Sequence, residues 1–132
     1  MNKVCVITGV GPGNGASLSR RFGSEGYTVV MLARNGDYLK QLASEIPGSI
    51  GMVCDVREPE AIKSVFERIH KDIGAVNTLV YNAGAGEWTS IMETSTQGMH
   101  SSWATNTLGL LACAQQVIPG MSDKGEGNIM VI

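Results

Sequence analysis

A short apolar strand that runs into a glycine-dense turn constrains the fold of this chain more than any other feature. Residues 4–15 read Val-Cys-Val-Ile-Thr-Gly-Val-Gly-Pro-Gly-Asn-Gly. The glycines permit a sharp turn whose backbone can approach a ligand closely. A helix that begins near Gly13 would direct its free amides and its positive dipole end at that ligand, which is the chemistry of an anion site. Because the turn follows a strand and opens a helix, it predicts a nucleotide-phosphate site; the alternative is a tight turn without a ligand.

Short apolar runs alternate with longer segments of helical periodicity along the whole chain. The predicted strands are Lys3–Thr8, Thr28–Ala33, Ser49–Cys54, Asn77–Tyr81 and Asn128–Ile132. The predicted helices are Gly13–Glu25, Gly36–Ile46, Glu60–Ile73 and Thr96–Met121. Continuously apolar strands are typical of a parallel sheet that is covered on both faces.

This alternation predicts one α/β domain over residues 1–132. We expect a Rossmann-type, doubly wound parallel sheet in the order 3-2-1-4-5, with a cleft where the strand order reverses. Since the further strands that usually complete such a sheet are not found here, we expect a sheet truncated after its fifth strand. That strand would then be an exposed apolar edge.

Composition restricts the class of protein. The chain has 132 residues, of which 43% are apolar, enough to fill one core. Its net charge of −2 offers no basic surface for nucleic acid. No apolar run reaches the roughly 18 residues that span a bilayer, and Val4–Ile7 is too short for the core of a signal peptide. We therefore expect a cytoplasmic protein without a nucleic-acid or membrane partner.

The cysteines, histidines and tryptophans predict packing rather than chemistry. Three cysteines lie in apolar stretches without metal-ligand spacing and are expected to be free, buried thiols: Cys5, Cys54 and Cys113. His70 and His100 stand alone, so we expect no metal site. Trp88 and Trp103 are interpreted as packing residues rather than as a platform for a substrate.

Four motifs occur in the order and spacing of one protein family. The turn Thr8-Gly9-Val10-Gly11-Pro12-Gly13-Asn14-Gly15 resembles the Thr-Gly-x-x-x-Gly-x-Gly turn of the short-chain dehydrogenase/reductase family. Asp55-Val56 follows the third predicted strand, Asn82-Ala83-Gly84 follows the fourth, and Asn106 lies in the last predicted helix. The resemblance covers essentially the whole chain. It implies an oxidoreductase that transfers hydride between a nicotinamide cofactor and a carbonyl or alcohol substrate.

The resemblance also implies a role for each motif. Cofactor phosphates would be bound by the glycine turn, that is by Gly9, Gly11, Gly13, Asn14 and Gly15. Asp55-Val56 would contact the adenine ring, Asn82-Ala83-Gly84 would steady the sheet beside the cofactor, and Asn106 would be the helix asparagine of the catalytic tetrad.

Other interpretations stay open for three of these residues. Asp55 could cap the following loop and Asn82 could be a turn residue, because both side chains bond readily to nearby backbone. Asn106 could be an ordinary polar helix residue. However, asparagine weakens a helix, so its place between Thr105 and Thr107 indicates a local distortion that serves a purpose.

The end of the second predicted strand indicates which cofactor is preferred. In dinucleotide sites an acid about 20 residues past the glycines binds the ribose 2′-hydroxyl, whereas an arginine accommodates a 2′-phosphate. Ala33 stands where an NAD-preferring relative would carry aspartate, and Arg34-Asn35 follows at once. Arg34 offers a planar, bidentate partner for a phosphate. The sequence therefore favours NADP(H) over NAD(H); the alternative for Arg34 is a solvated loop charge.

The residues that would perform the family's hydride chemistry do not occur within these 132 positions. That chemistry needs a serine after the fifth strand and a Tyr-x-x-x-Lys pair, in which lysine lowers the pKa of the tyrosine that acts as general acid and base. None of Tyr27, Tyr38 and Tyr81 has a lysine four residues later.

We therefore expect the chain to be the NADP(H)-binding part of an oxidoreductase and to be inactive alone. One alternative is a non-catalytic nucleotide-binding or interaction protein of the same fold. Another is a flavodoxin-like binder, which the four ordered motifs disfavour. The resemblance implies a small carbonyl or alcohol substrate for the complete enzyme, and it allows a homo-oligomer that pairs through the long fourth helix.

Overall fold

Five parallel strands form the centre of the computed structural model, which describes residues 2–132. They are β1 (Val4–Ile7), β2 (Thr28–Ala33), β3 (Ser49–Val53), β4 (Val76–Tyr81) and β5 (Asn128–Val131). Their order in the sheet is β3-β2-β1-β4-β5, and every neighbouring pair is parallel. The predicted Rossmann-type sheet in the order 3-2-1-4-5 is therefore confirmed.

The connections between the strands are helical. The α-helices are α1 (Asn14–Ser24), α2 (Gly36–Glu45), α3 (Pro59–Asp72), α4 (Thr96–Trp103) and α5 (Gly109–Lys124). A turn of π-helix, Ala104–Leu108, joins α4 to α5. The helical segment predicted over Thr96–Met121 therefore contains a π turn, and it continues to Lys124 before Gly125 ends it at a φ of +70°.

The sheet is covered on both faces, which explains the continuous apolar runs. Alternate residues of β1 point to opposite sides: Val4 and Val6 join the core under α3 and α5, while Cys5 and Ile7 join the core under α1 and α2. The edge strand β5 differs, because all four of its residues are exposed. This exposed apolar edge is the one that the sequence predicts.

All three cysteines are free and buried, as predicted. Burial raises the pKa of Cys5 and of Cys113 to about 12 and that of Cys54 to about 11, so these thiols stay protonated at neutral pH.

The two tryptophans, which the sequence predicts to be packing residues, lie outside the core of residues 2–132. Trp88 is fully exposed and Trp103 is 52% exposed, so neither packs in a core of residues 2–132. Both lie outside the strands: Trp88 is in the loop between β4 and α4, and Trp103 is the last residue of α4.

Residues 2–132 contain no group of three histidine, cysteine or acidic side chains placed to hold a metal ion. None of the helices in this range combines the length and the apolar character that crossing a bilayer requires.

Candidate functional site

An open cavity of about 690 Å³ lies at the carboxyl ends of the strands. Its lining includes the segments that follow β1 and β4, between which the strand order reverses, and this reversal point is where open α/β sheets bind ligands. Its walls come from the segments that follow β1, β2, β3 and β4, with two residues added from α4 and the π turn: Ser101 and Thr105.

The glycine turn brings backbone close to neighbouring backbone at two positions. Gly9 has a φ of +65°, and a Cβ there would lie 2.5 Å from the Cα of Ala83. A Cβ on Gly15 would lie 2.6 Å from the Cα of Val10. These two glycines are therefore required by packing within the protein, whatever the turn binds.

Gly11 and Gly13 are different, because nothing lies within 4 Å of a Cβ built on either residue. Gly11 lines the cavity, so open space faces its backbone. Gly13 precedes α1 without a side-chain cap, and the first turn of α1 contains no acidic residue. This helix N-terminus is therefore electropositive.

Thr8 and Asn82 join the glycine turn to the end of β4. The buried Oγ1 of Thr8 accepts hydrogen bonds from the backbone N–H of Asn82 at 3.1 Å and of Ala83 at 3.2 Å. The Nδ2 of Asn82 donates to the carbonyl oxygen of Gly9 at 3.1 Å. Asn82 is thus more than a local turn residue, because its side chain spans two strands.

Asn106 lies within the π turn, so the predicted distortion of the helix at this residue is confirmed. Its amide bonds both backbone groups of Ala85: Oδ1 accepts from the N–H at 2.9 Å, and Nδ2 donates to the carbonyl at 2.7 Å. Ala85 lines the cavity while Asn106 does not. Asn106 therefore acts on the cavity through Ala85.

Arg34 and Asn35 lie at the rim of the cavity beyond β2. Both side chains are exposed. Asn35 has a structural role as well: it caps α2, because its Oδ1 accepts from the backbone N–H of Tyr38 at 3.1 Å. This capping role of Asn35 is not among the roles predicted from the sequence, although asparagine immediately before a helix is a common signal for it.

Asp55 forms an ion pair with Arg57, a cavity residue that sequence reasoning missed. The Nη2 of Arg57 lies 2.7 Å from the Oδ2 of Asp55, and the Arg57 backbone N–H donates to Oδ1 at 3.0 Å. The Arg57 Nη1 also donates to the hydroxyl of Ser101 at 3.3 Å. A basic residue two positions after an aspartate that follows a strand is the sequence signal that could have identified Arg57.

This ion pair shifts the pKa of both partners. Hydrogen bonding from Arg57 lowers the pKa of the Asp55 carboxyl, and the charge of Arg34 acts in the same direction. The same pairing raises the pKa of Arg57. The pair therefore favours the carboxylate form of Asp55, which already accepts the bonds of a loop cap, the alternative that the sequence left open.

The cavity brings together nine of the predicted site residues. They are Gly9, Gly11, Arg34, Asn35, Asp55, Val56, Asn82, Ala83 and Gly84. Gly13, Asn14 and Gly15 lie beside it, at the start of α1, and are not part of its lining. The site thus combines an electropositive helix end, two guanidinium groups and one carboxylate.

Comparison with known proteins agrees with this arrangement. Residues 3–132 match the sequence model of the family described as short chain dehydrogenase. The chain is 30% identical over 131 residues to a 3-oxoacyl-[acyl-carrier-protein] reductase of Bos taurus, covering 98% of this chain and 55% of that protein. It is 33% identical over 137 residues to a farnesol dehydrogenase of Aedes aegypti, covering 98% and 56%.

Solved structures give the same result. An alcohol dehydrogenase from the archaeon Thermococcus sibiricus, complexed with 5-hydroxy-NADP, superposes with a TM-score of 0.93 at 26% identity, covering 99% of this chain and 57% of that chain. The chain thus spans about half the length of the relatives that it matches. By sequence and by fold, it belongs to the short-chain dehydrogenase family of oxidoreductases.

Proposed function

We propose that residues 1–132 form the NADP(H)-binding domain of an oxidoreductase that transfers hydride between NADP(H) and a carbonyl or alcohol substrate. The observation that carries the proposal is the open cavity at the reversal point of the sheet, with the bare backbone of Gly11 on one wall and Arg34 at the rim. A small-molecule substrate follows from the chemistry of the family.

The residues present fit a dinucleotide along the whole cavity. The pyrophosphate would be bound by the amides of the glycine turn and the start of α1, namely Gly9, Gly11, Gly13, Asn14 and Gly15. Val56 lines the cavity next to Asp55 in sequence and offers an apolar surface for adenine. The nicotinamide would approach Asn82, Ala83 and Gly84.

The preference for NADP(H) rests on charge. Arg34 is exposed at the rim, and Asn35 fixes the loop that carries it by capping α2. A guanidinium binds a 2′-phosphate through two parallel hydrogen bonds, and Asp55, the nearby carboxylate, is already paired with Arg57. The 5-hydroxy-NADP complex of the archaeal alcohol dehydrogenase supports the same preference.

In this proposal, residues 1–132 bind the cofactor without catalysing its reaction. Tyr81 is buried, and its hydroxyl donates to the carbonyl oxygen of Thr105, while burial raises its pKa further from neutrality. Asn106 does not titrate, so its role is to position Ala85. Neither residue can transfer a proton to a substrate at neutral pH.

Calorimetric titration of the purified chain with NADPH and with NADH tests this proposal. We expect NADPH to bind at least about tenfold more tightly than NADH. One charge-assisted hydrogen bond to the 2′-phosphate contributes about 1.5–3 kcal/mol, which corresponds to at least a tenfold difference in affinity. If neither nucleotide binds, the cavity has another ligand. If NADH binds as well as NADPH, the interpretation of Arg34 is wrong.

A non-catalytic nucleotide-binding protein of the same fold is the second candidate, because the same cavity would serve it. The intact mass of the protein isolated from its source, together with the reading frame beyond Ile132, separates the two candidates. A serine and a Tyr-x-x-x-Lys pair encoded after Ile132 support the oxidoreductase. An isolated protein whose mass corresponds to 132 residues supports the second candidate.

We also propose that this protein forms a homo-oligomer through α4 and α5. Large apolar side chains are exposed along these two helices, among them Met99, Trp103, Leu111 and Ile118. Burying them against a second copy would stabilise an assembly through the hydrophobic effect. Light scattering coupled to size-exclusion chromatography measures the mass, and a monomer at all concentrations would contradict this proposal.

A further inference from the structure

The last residue of β4, Tyr81, reaches across the core into the π turn. Its side chain is 1% exposed, and its hydroxyl donates a hydrogen bond to the backbone carbonyl oxygen of Thr105. The two residues are 24 positions apart in sequence, so local helix periodicity cannot anticipate the contact.

The geometry of the π turn explains why this hydroxyl matters. In an α-helix the N–H of Gly109 would donate to the carbonyl of Thr105, four residues earlier. Here it donates to the carbonyl of Ala104, five residues earlier. The carbonyl of Thr105 therefore loses its α-helical donor, and the Tyr81 hydroxyl supplies a replacement. Without it, a buried carbonyl would be left unsatisfied, which is costly.

Gly109 provides the space for this bond. Its φ of −62° and ψ of −40° are ordinary helical values, so the backbone conformation does not require glycine. A Cβ at this position would instead overlap the hydroxyl oxygen of Tyr81 and would lie 2.8 Å from the carbonyl oxygen of Val56. The absence of a side chain at 109 is thus matched to the hydroxyl at 81.

Both ends of the Tyr81–Thr105 bond adjoin the candidate site. Tyr81 directly precedes Asn82, which bonds Gly9, and Thr105 directly precedes Asn106, which bonds both backbone groups of Ala85. We propose that Tyr81 is a positioning residue: by holding the Thr105 carbonyl it maintains the π turn, which directs Asn106 to Ala85 and fixes the cavity wall formed by residues 82–85. The effect on NADPH affinity rests on the proposed function.

Hydrogen exchange of the free chain tests the structural step, with the Tyr81→Phe variant removing only the hydroxyl. We expect exchange of the Ala85 amide to accelerate roughly tenfold, because the bond that Asn106 makes to it is lost. Amides within β1 and β2 should keep their rates. The matched control is Tyr27→Phe, since Tyr27 is half-buried against Phe22 at the opposite end of the sheet. An unchanged Ala85 rate, or one that rises only in step with β1 and β2, overturns the proposal.

A second arm separates this proposal from the proposed function. NADPH affinity should fall about threefold or more in Tyr81→Phe and remain unchanged in Tyr27→Phe. If the unmodified chain does not bind NADPH, the proposed function fails, while exchange at Ala85 still tests Tyr81. If exchange of the Ala85 amide accelerates in Tyr81→Phe while NADPH affinity is unchanged, Tyr81 does not position the cavity wall for the cofactor.

The unmodified chain offers a test that does not depend on the variant folding. The hydroxyl proton of Tyr81 should be visible by NMR as a slowly exchanging resonance with a nuclear Overhauser contact to Gly109. Rapid exchange of this proton with water would overturn the proposal. In addition, Asn106→Ala should accelerate exchange of the Ala85 amide, and combining it with Tyr81→Phe should give no further acceleration. If the effects of the two substitutions add, Tyr81 does not act on Ala85 through Asn106, and the proposal is contradicted.

Discussion

The backbone of Gly9 approaches that of Ala83 so closely that a Cβ on Gly9 would lie 2.5 Å from the Cα of Ala83. This contact joins the turn after β1 to the segment after β4, on either side of the point where the strand order reverses. The same two segments are bonded through the Thr8 hydroxyl, which accepts from the Ala83 N–H. Backbone packing therefore determines how the two cavity segments that follow β1 and β4 lie against each other.

Gly9→Ala should destabilise the chain by more than about 2 kcal/mol. The substitution combines an unfavourable φ of +65° with a collision against backbone that cannot move independently of β4. Gly26→Ala is the matched control: its φ is +85°, but nothing lies within 4 Å of its Cβ, so we expect a cost of only about 1–2 kcal/mol. Urea unfolding measures both, and equal costs would show that contact with Ala83 is unimportant.

Gly11→Val should weaken NADPH binding by about tenfold or more while the fold is retained. The new side chain meets no protein atom within 4 Å of its Cβ and so projects into the open cavity. Gly120→Val, in an open and exposed position on α5, controls for the substitution itself. Calorimetry and circular dichroism provide the two measurements. Undiminished affinity in Gly11→Val would show that the cofactor does not lie against this turn.

Arg34→Asp should reverse the cofactor preference. The substitution removes a charge-assisted contact to the 2′-phosphate worth about 1.5–3 kcal/mol, and it introduces a carboxylate that can bind a ribose 2′-hydroxyl. NADPH affinity should fall more than tenfold, while NADH affinity stays equal or rises. Arg68→Asp, on the exposed face of α3, is the control. Parallel losses for both cofactors would mean that Arg34 contributes only general electrostatic attraction.

Residues 1–132 should bind NADPH without reducing carbonyl compounds. In the cavity, burial keeps the Cys54 thiol protonated and Asp55 is paired with Arg57. Outside its lining, Asn106 does not titrate and Tyr81 is bonded inside the core. Depletion of NADPH absorbance with a panel of ketones and aldehydes measures turnover. The bovine 3-oxoacyl reductase serves as a positive control with an acyl substrate. Sustained turnover by the pure chain would contradict this prediction.

The pKa of the Asp55 carboxyl should depend on Arg57. In Arg57→Gln the pKa of the Asp55 carboxyl should rise towards its ordinary value, as followed by carboxyl carbon NMR during acid titration. Because folding lowers this pKa, the stabilisation from the pair is present above the unfolded-state pKa and is lost as the pH falls through the folded-state pKa. The unmodified chain should therefore lose more stability on acidification than Arg57→Gln. Identical acid titration curves would contradict the pairing.

The strands could be predicted from the sequence because a strand that is buried on both faces forms a short, continuously apolar run of residues. Each predicted end lies within one residue of the observed end of β1 to β5. The reason is visible in β1, where Val4 faces one core and Cys5 the other, so no polar residue interrupts the run.

The helix after β4 could be predicted only in part. Low helix propensity at Asn106 indicated a distortion, but its form depends on the Tyr81 hydroxyl, which comes from another element. Helical periodicity describes contacts three and four residues apart and contains no information on such a bond.

Side chains in the loops were the least predictable. Arg57 was missed because an ion pair between residues two apart depends on loop geometry. The sequence predicts that Trp88 packs, whereas the loop that carries it is bonded to itself: Glu87 accepts from the Ser95 N–H at 3.1 Å, and the hydroxyls of Thr89 and Thr94 lie 2.9 Å apart. Trp88 lies between these bonded residues and is fully exposed.

The match between the Tyr81 hydroxyl and the missing side chain of Gly109 restricts how this chain can evolve. Alanine at 109 would favour a regular helix by about 1 kcal/mol over glycine, but it collides with the tyrosine that is already present. Loss of the hydroxyl at 81 first would leave the Thr105 carbonyl without its donor. Replacing both residues one after the other therefore passes through a single variant that is less stable than the original protein. The presence of each residue thus disfavours substitution of the other.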